Sequence, residues 1–207
     1  MSEHELAELG LDQKLRQLRE DRDLELADVA ARVGITPEQL DALESGRAVP
    51  AIGELVKLAQ ALEVSIGHFF QRHLASHRVE VVRSADRWMV EPHSELGETL
   101  SYRYQSLSYN LTDKLMSPFL VEIPPSESAE VTASTHGGEE FLFVLAGQLE
   151  VQVGGETHRM EPGDAIYFDS RLEHSLRAVE GTSVRLLACV AEGRAQLKDN
   201  PIGRAYG

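Results

Sequence analysis

The sequence predicts an α plus all-β protein, in which five helices are followed by a β-barrel or sandwich of short strands. Two observations predict this division. Apolar residues recur at spacings of three and four between residues 11 and 73, as on one face of a helix. From residue 78 to residue 192 they alternate with polar residues in short runs separated by Gly, Pro, Asp or Ser, which is typical of a barrel or sandwich.

The five helices of the first module are predicted from their boundary signals. The first begins at Leu11, and the second ends at Gly34, because glycine tolerates the left-handed turn after a helix. The third begins within Thr36–Gln39, where threonine can cap the helix, proline fits its first turn and glutamine completes a capping box. A fourth helix is expected over residues 52–62 and a short fifth helix over residues 65–70.

The strands of the second module are predicted from period-two alternation and turn residues. Seven runs meet this pattern: RVEVVR, SYRYQSL, FLVEI, EFLFVLAG, LEVQV, DAIYF and SVRLLACV. The change of period gives the domain organisation. We expect a flexible lead over residues 1–10, a helical domain over 11–73, a linker over 74–77, a β-barrel over 78–192 and a C-terminal tail over 193–207.

Composition limits the classes of protein to which the chain can belong. Its 207 residues are 42% hydrophobic, so the chain can bury a core, and no apolar run reaches the length of a membrane helix. The single cysteine, Cys189, excludes an internal disulfide, and the acidic N-terminus lacks the layout of a signal peptide. A cytoplasmic protein without membrane contact is therefore expected.

The net charge of −14 bears on any contact with nucleic acid. Residues 1–77 carry eight basic against fourteen acidic residues, so the helical module repels DNA at long range. A DNA contact would therefore depend on a local set of basic side chains.

The helical module carries apolar, glycine and charged residues at a specific spacing. They are Leu15, Leu18, Arg19, Leu26, Ala27, Asp28, Val29, Ala30, Gly34, Leu40, Leu43, Glu44, Gly46, Pro50, Leu55, Leu58, Ala59 and Leu62. This set resembles the helix-turn-helix domain of the phage-repressor (Cro/C1-like) class. The resemblance implies that the helix beginning at Thr36 lies in the major groove of DNA.

Six residues are expected to contact DNA on the basis of this resemblance. They are Thr36, Glu38 and Gln39 on the third helix, and Arg19, Arg22 and Arg47 as basic contacts. The third helix also directs Pro37, Asp41 and Ala42 outward. Only Gln39 is a good base reader in this set, because Arg, Lys, Asn and Gln usually read base edges. The alternative is a helical module that serves oligomer contacts or covers the mouth of the barrel.

The second module contains two short motifs with metal-ligand residue types. The first contains Ser134, His136, Glu140 and Gly147, and the second contains Pro162-Gly163-Asp164 and His174. Together they resemble the motifs of the cupins, which are double-sheet jelly-roll proteins. Ser134 stands where the first histidine of that family is usual, so three of the four ligand positions are kept.

Two imidazoles and one carboxylate at these positions suit a divalent metal. Such a set leaves open positions on Fe(II), the metal that we favour, and Zn, Mn and Ni are the alternatives. The other interpretation is a degenerate barrel in which His136 and His174 only form hydrogen bonds. If the barrel holds a small molecule, Tyr102, Tyr104 and Ser134 are expected to contact it. The two tyrosines share one strand face, and ordinary aromatic packing would explain them equally well.

A repressor-type helical module joined to a cupin resembles a class of bacterial ligand-responsive transcription regulators. This resemblance implies a DNA operator, a small-molecule effector, and a homodimer or higher homo-oligomer. The same arrangement resembles the hydroxypropylphosphonate epoxidases, which are mononuclear non-haem iron enzymes. Here Asp23 and Ala133 stand where those enzymes would have a phosphonate-binding lysine and a substrate-binding asparagine. We therefore expect a regulator, with an Fe(II)-dependent oxidoreductase as the alternative.

Overall fold

The structure is a computed structural model. It describes residues 10–70, 79–94, 102–111, 114–125, 133–179 and 181–191. The predicted lead before Gly10, the linker over 74–77 and the tail over 193–207 lie outside these residues. None of the helices within the described ranges has the length and the apolar character needed to span a membrane.

The first module contains four α-helices in its described part. They are α1 (Leu11–Glu20), α2 (Leu26–Val33), α3 (Pro37–Glu44) and α4 (Ile52–Ala61). The prediction of a fifth α-helix is wrong, because the segment Ile66–Phe70 forms a 3₁₀-helix. A segment of only five residues, one of them Gly67, can form few α-helical hydrogen bonds to offset the entropy lost on ordering it. Helical segments this short often adopt 3₁₀ geometry.

The boundary signals of α2 and α3 are confirmed. Gly34 ends α2 with a φ of 82°, and its amide donates to the Ala30 carbonyl. At the start of α3 the Gln39 amide donates to the Thr36 hydroxyl at 3.2 Å, and the Thr36 amide donates to the Gln39 side chain at 2.8 Å. This capping box satisfies two amides that the first turn of a helix leaves unpaired.

The described part of the second module contains eight strands in two antiparallel sheets. They are β1 (Arg103–Ser106), β2 (Met116–Ile123), β3 (Glu139–Ala146), β4 (Leu149–Val153), β5 (Glu156–Met160), β6 (Ala165–Asp169), β7 (His174–Ala178) and β8 (Val184–Ala191). A five-stranded sheet has the order β1-β2-β8-β3-β6, and a three-stranded sheet has the order β5-β4-β7. Buried side chains from both sheets, such as Leu142 and Val151, belong to one hydrophobic core.

The predicted closed barrel is not found in the described residues. β1 and β6 are the edges of the larger sheet, and β5 and β7 are the edges of the smaller sheet. An isolated bridge pairs Ser134, which precedes β3, with His174 of β7, but it does not extend into a ladder. Closure needs a continuous ladder between the first and last strands, and period-two alternation does not distinguish a barrel from two sheets.

The strand predicted at the run RVEVVR is also wrong. Residues 79–83 form no strand, and the side chains of Val79 and Val81 are exposed. The segment is held by Glu80, whose carboxylate accepts a hydrogen bond from the Tyr109 amide at 3.0 Å. Conversely, β5 and β7 fall outside the predicted runs, because buried and exposed residues do not alternate along either strand.

Aromatic and hydrogen-bond contacts join the two modules. Phe70, at the end of the 3₁₀-helix, packs edge-on against Tyr104 of β1, with ring centroids 6.3 Å apart. The Tyr104 hydroxyl donates to the Pro50 carbonyl at 3.1 Å, and the Ile52 amide donates to the Tyr102 hydroxyl at 3.1 Å. These contacts hold the start of α4 against β1 and so place a helix of the first module beside the site described below.

Two ion pairs with different burial involve α3. The Arg19 guanidinium of α1 donates to the Glu44 carboxylate at 2.7 and 2.8 Å, and the Glu44 side chain is 2% exposed. The hydrogen bonds to Glu44 raise the pKa of Arg19. Arg47 pairs with Asp41 at 2.5 Å, but both of these side chains are about half exposed. The first pair therefore contributes to the core of the module, whereas the second lies on its surface.

Replacing Arg19 with methionine is expected to destabilise the helical module by about 3 kcal/mol, because the Glu44 carboxylate would remain buried without its partner. The matched change Arg47→Met should cost less than about 1 kcal/mol, since exposed ion pairs contribute little. Urea denaturation followed by far-ultraviolet circular dichroism measures both values. Equal losses in the two variants would contradict a structural role for Arg19.

Candidate metal centre

Three ligand-type side chains converge between the two sheets. His136 lies just before β3, Glu140 is the second residue of β3, and His174 is the first residue of β7. Nε2 of His136 lies 2.6 Å from Oε1 of Glu140, and Nε2 of His174 lies 3.5 Å from the same oxygen. One ligand atom from each residue lies within 4.8 Å of the other two, so a single metal ion can reach all three.

Local backbone structure sets the direction of each ligand. Burial alternates along the first part of β3, and Glu140 occupies one of its inward positions. The His136 amide donates to the Ser170 carbonyl at 3.0 Å. The His174 amide donates to the Ser134 carbonyl at 3.0 Å, and the Ser134 amide returns a bond of 2.8 Å. All three ligands are therefore placed by the main chain and buried.

The main chain also orients the two imidazole rings. Nδ1 of His136 lies 3.2 Å from the Gly137 carbonyl, and Nδ1 of His174 lies 2.8 Å from the Leu172 carbonyl. A carbonyl can only accept, so each Nδ1 is assigned the proton and each Nε2 can present a lone pair. Nε2 of His136 approaches Glu140 closely but without hydrogen-bond alignment, and among the described residues this buried atom has no hydrogen-bond partner. A shared metal ion would satisfy it.

The charges of the site favour an ionised carboxylate. Burial alone would raise the pKa of Glu140, but the two neighbouring imidazoles outweigh it and lower this pKa to about 2. Burial opposes protonation of His174 as well, yet the Glu140 carboxylate outweighs burial and raises the pKa of His174. The site thus holds one anionic oxygen ligand beside two imidazoles, which is a donor set that suits Fe(II), Zn(II), Mn(II) or Ni(II).

The three side chains open into a cavity of about 540 Å³ that both modules line, here called the interdomain cavity. Helix α4 contributes Glu54 and Lys57 to its wall, together with the start of the helix. Much of the remaining wall is apolar and includes Leu142, Leu176 and Val190. A cavity of this size with few polar groups is typical of a site for a small organic molecule.

The structure separates the three residues that were predicted to contact a ligand. Ser134 and Tyr102 line the interdomain cavity. Tyr104 is fully buried instead, with its ring against Phe119 and its hydroxyl donating to Pro50, and it is not part of the cavity wall as described. Burial raises the pKa of both tyrosines, so their hydroxyls stay protonated. Through their hydroxyls, the two tyrosines hold the start of α4 against the second module.

The contribution of α4 to the cavity escaped the sequence analysis. Glu54 and Lys57 line the cavity, and Nε2 of Gln60 donates to the Gly137 carbonyl at 3.0 Å. A Cβ atom at position 137 would lie 2.8 Å from Nε2 of Gln60, so a larger residue there would displace the Gln60 side chain. The sequence shows that these three positions of α4 are polar. Neighbouring residues do not indicate that this helix packs against the second module, because that contact depends on residues far away in the chain.

The predicted DNA contacts on α3 are accessible. Thr36, Glu38 and Gln39 are exposed. The Gln39 side chain also closes the capping box, so its oxygen is held against the main chain. Ala42 was expected to face outward, but it is 1% exposed. Ala42 lies instead in the wall of the interdomain cavity, which residues of the second module such as Leu142 also line.

The three basic residues predicted to contact DNA have intramolecular partners. The Arg19 guanidinium pairs with Glu44, and its side chain is 15% exposed. Arg22 donates to the Leu18 carbonyl at 3.1 Å. Arg47 pairs with an exposed carboxylate of α3. Arg22 and Arg47 could exchange these partners for phosphates, whereas Arg19 is committed to the fold.

Comparison with known families confirms the resemblance noted in the sequence. Residues 15–69 match the helix-turn-helix family, and residues 119–190 match the cupin domain family. The chain therefore carries an N-terminal segment that matches the helix-turn-helix family and a C-terminal segment that matches the cupin domain family.

Proteins similar over most of the chain include regulators and one enzyme. The HTH-type transcriptional regulator PuuR of Escherichia coli (strain K12) is 23% identical over 180 residues, which are 87% of this chain and 94% of PuuR. The (S)-2-hydroxypropylphosphonic acid epoxidase of Streptomyces wedmorensis is 24% identical over 199 residues, which are 91% of this chain and 98% of the enzyme. A solved HTH_3 family transcriptional regulator from Vibrio cholerae matches with a TM-score of 0.66 at 24% identity, covering 92% and 99% of the two chains. This last likeness shows the fold.

The purified protein is expected to bind one divalent ion per chain, and binding should raise its melting temperature, because the ion binds only the folded site. His174→Ala and Glu140→Gln should each weaken binding on the order of a hundredfold or more, since even the loss of a residue that only hydrogen-bonds to a metal ligand can cost that much. Metal analysis by mass spectrometry and isothermal titration calorimetry measure the content and the affinity.

The matched control is His158→Ala. His158 lies on β5 with its side chain 44% exposed, outside the three converging ligands. This variant should keep the metal content and affinity of the unmodified protein. Loss of metal in His158→Ala together with full binding in His174→Ala would reject the site.

Proposed function

We propose that the protein is a ligand-responsive, DNA-binding transcription regulator whose cupin domain binds a small molecule with the help of a divalent metal. The observation that carries this proposal is the interdomain cavity, because the metal ligands and α4 of the helix-turn-helix domain share its wall. A ligand in this cavity would contact both domains. Similarity to HTH-type transcriptional regulators supports the DNA-binding part.

Two contacts would couple the metal site to the helix-turn-helix domain. Gln60 of α4 binds the carbonyl of Gly137, which is bonded to the metal ligand His136. Gly53 of α4 packs so closely on Ser134 that any side chain at position 53 would collide with its hydroxyl. A shift of the segment that carries these ligands would therefore move α4, and differential contact of this kind is what allosteric coupling requires.

DNA binding would use a homodimer or higher homo-oligomer, with α3 of each subunit in the major groove of a palindromic operator. Thr36, Glu38 and Gln39 form the exposed start of α3, and Arg22 and Arg47 would contact phosphates. The acidic chain makes affinity depend on these few contacts, so binding would be weak and sensitive to salt. Such a regulator would act in the cytoplasm, in contact with the chromosome.

Selection of bound sequences from random DNA at low salt tests this function. The metal-loaded, full-length protein is expected to enrich a palindromic sequence, because a symmetric oligomer reads two equivalent half-sites. Fluorescence anisotropy should then show a steep loss of affinity as salt rises. If the folded, metal-loaded protein enriches no sequence, the enzyme becomes the better interpretation.

The coupling route is tested by Gln60→Leu. In the unmodified protein, metal or ligand binding is expected to change DNA affinity by about fivefold or more, the lower end of typical allosteric coupling. The variant should keep its metal content and lose most of this change, because the bond to the Gly137 carbonyl is removed. Gln152→Leu, an exposed change on β4, is the matched control and should behave as the unmodified protein. Equal coupling in both variants would reject this route.

A second candidate function is that of a mononuclear iron enzyme. The observation that favours it is the donor set itself, because two histidines and one carboxylate leave open positions on Fe(II) beside a cavity. The similarity to an enzyme named as an epoxidase, over 98% of that enzyme, points the same way. Asp23 and Ala133 count against the same substrate. Asp23 is exposed in the turn after α1, and Ala133 offers the cavity only a methyl group.

The Fe(II)-loaded protein, supplied with peroxide or with oxygen and a reductant, is expected not to convert (S)-2-hydroxypropylphosphonic acid into an epoxide. The reason is that Asp23 and Ala133 supply neither the cation nor the amide that the resemblance to the epoxidases implies. Phosphorus nuclear magnetic resonance of the reaction mixture measures the conversion. Turnover that disappears in His174→Ala would replace the regulator with the enzyme as the primary function.

A further inference from the structure

Helix α4 presents two charged side chains to the interdomain cavity that neither the metal centre nor the DNA-binding surface uses. Glu54 and Lys57 lie one turn apart on α4, and both line the cavity. Both side chains are partly buried. A charge beside apolar groups such as Leu142 and Val190 is costly unless an opposite charge or a polar group accompanies it. The two opposite charges compensate each other only in part, because they form no ion pair within 4.0 Å.

Lys57 is the cation of this pair. Within the part of the chain that the structure describes, no carboxylate lies within 4.0 Å of its ammonium group. Burial raises the pKa of Glu54, and the Ala51 backbone and the charge of Lys57 only partly oppose this. Lys57 and the three candidate metal ligands line the same cavity.

The charges of the cavity indicate the charge of its ligand. A divalent ion held by neutral His136 and His174 and by the Glu140 carboxylate would leave one net positive charge at the metal. Lys57 supplies a second positive charge from the opposite domain. Glu54 lies in the same wall, but burial raises its pKa and so reduces the negative charge that opposes Lys57. Apolar side chains line much of the cavity that holds the two positive charges. A molecule with an acidic group at each end of a short carbon chain matches this distribution.

We infer that the interdomain cavity binds a small dicarboxylic acid, with one end at the metal and the other end at the Lys57 ammonium. This inference rests on the proposed function and deepens it by naming the class of effector. The diacid would bridge the domains, because its two ends are held by the cupin domain and by α4 of the helix-turn-helix domain. A monocarboxylic acid would occupy the metal end alone and would not pull on α4.

Calorimetric titration of the Co(II)-loaded, full-length protein with malate and with lactate tests the inference. Both acids offer the same 2-hydroxy acid end to the metal, and only malate carries a second carboxylate. The visible spectrum of Co(II) reports binding at the metal for both. Malate should bind more tightly than lactate. Lys57→Met should weaken malate at least about tenfold, because a partly buried charge would lose its partner. The same change should alter lactate binding less than about twofold.

Two further variants separate recognition from folding. Lys57→Arg keeps the charge and should retain most of the malate affinity. Glu54→Gln removes the anion that competes for Lys57 on the same face of α4, so it should bind malate equally well or more tightly. Opposite effects of Glu54→Gln and Lys57→Met cannot come from a general disturbance of α4. Retention of Co(II), measured by its visible absorption, shows that each variant keeps the metal centre.

Three outcomes would overturn the inference. The first is equal weakening of malate and lactate by Lys57→Met, and the second is no weakening of malate. The third is the absence of binding by either acid to the Co(II)-loaded protein, which would reject the ligand class. Malate binding that follows the expected pattern in a protein that selects no DNA would reject the regulator and leave the Lys57 site in place.

Discussion

The attachment of α4 to the cupin domain is the constraint on which the candidate site depends. Tyr102 and Tyr104 hold the start of this helix through the Ile52 amide and the Pro50 carbonyl. Without α4 the metal ligands would face a wider cleft, and Lys57 would be carried away from it. Enclosure matters because charge interactions strengthen where water is excluded. The helix that encloses the cavity also belongs to the helix-turn-helix module, so the cavity and that module share one structural element.

Signals that act within a few residues made most of the fold predictable. The capping box at Thr36 and the turn at Gly34 appear in the structure because both are decided by neighbouring residues. The convergence of His136, Glu140 and His174 could be predicted, because motif spacing places two of them on strands that face each other and the third just before β3. The burial of Ala42 and the position of Lys57 could not, since both depend on which distant segment covers them. The strand predicted at residues 79–83 failed for the same reason, because alternation gives no information about a pairing partner.

The helix-turn-helix fold does not by itself supply a surface that attracts DNA. The exposed side of α3 carries Glu38 and Asp41, and Arg47 is occupied by Asp41. An exposed pair costs at most about 1 kcal/mol to break, so Arg47 can turn to a phosphate at little expense. Breaking the pair of Arg19 with Glu44 would instead leave a buried carboxylate alone. Arg19 therefore stabilises the fold of this domain, whereas Arg22 and Arg47 have partners that they can exchange. This limits the number of side chains that could contact phosphates.

The ring orientations at the candidate metal centre allow two ways of balancing the charge of Glu140. Nδ1 of each histidine faces a main-chain carbonyl, at Gly137 and Leu172, so each Nε2 is directed toward the carboxylate. Without a metal ion, a single protonated imidazole balances the single carboxylate. With a metal ion, two neutral rings would offer their lone pairs, and the ion would place its charge directly against Glu140. The same three side chains thus form either an ion pair or a metal site, and metal analysis of the purified protein distinguishes the two states.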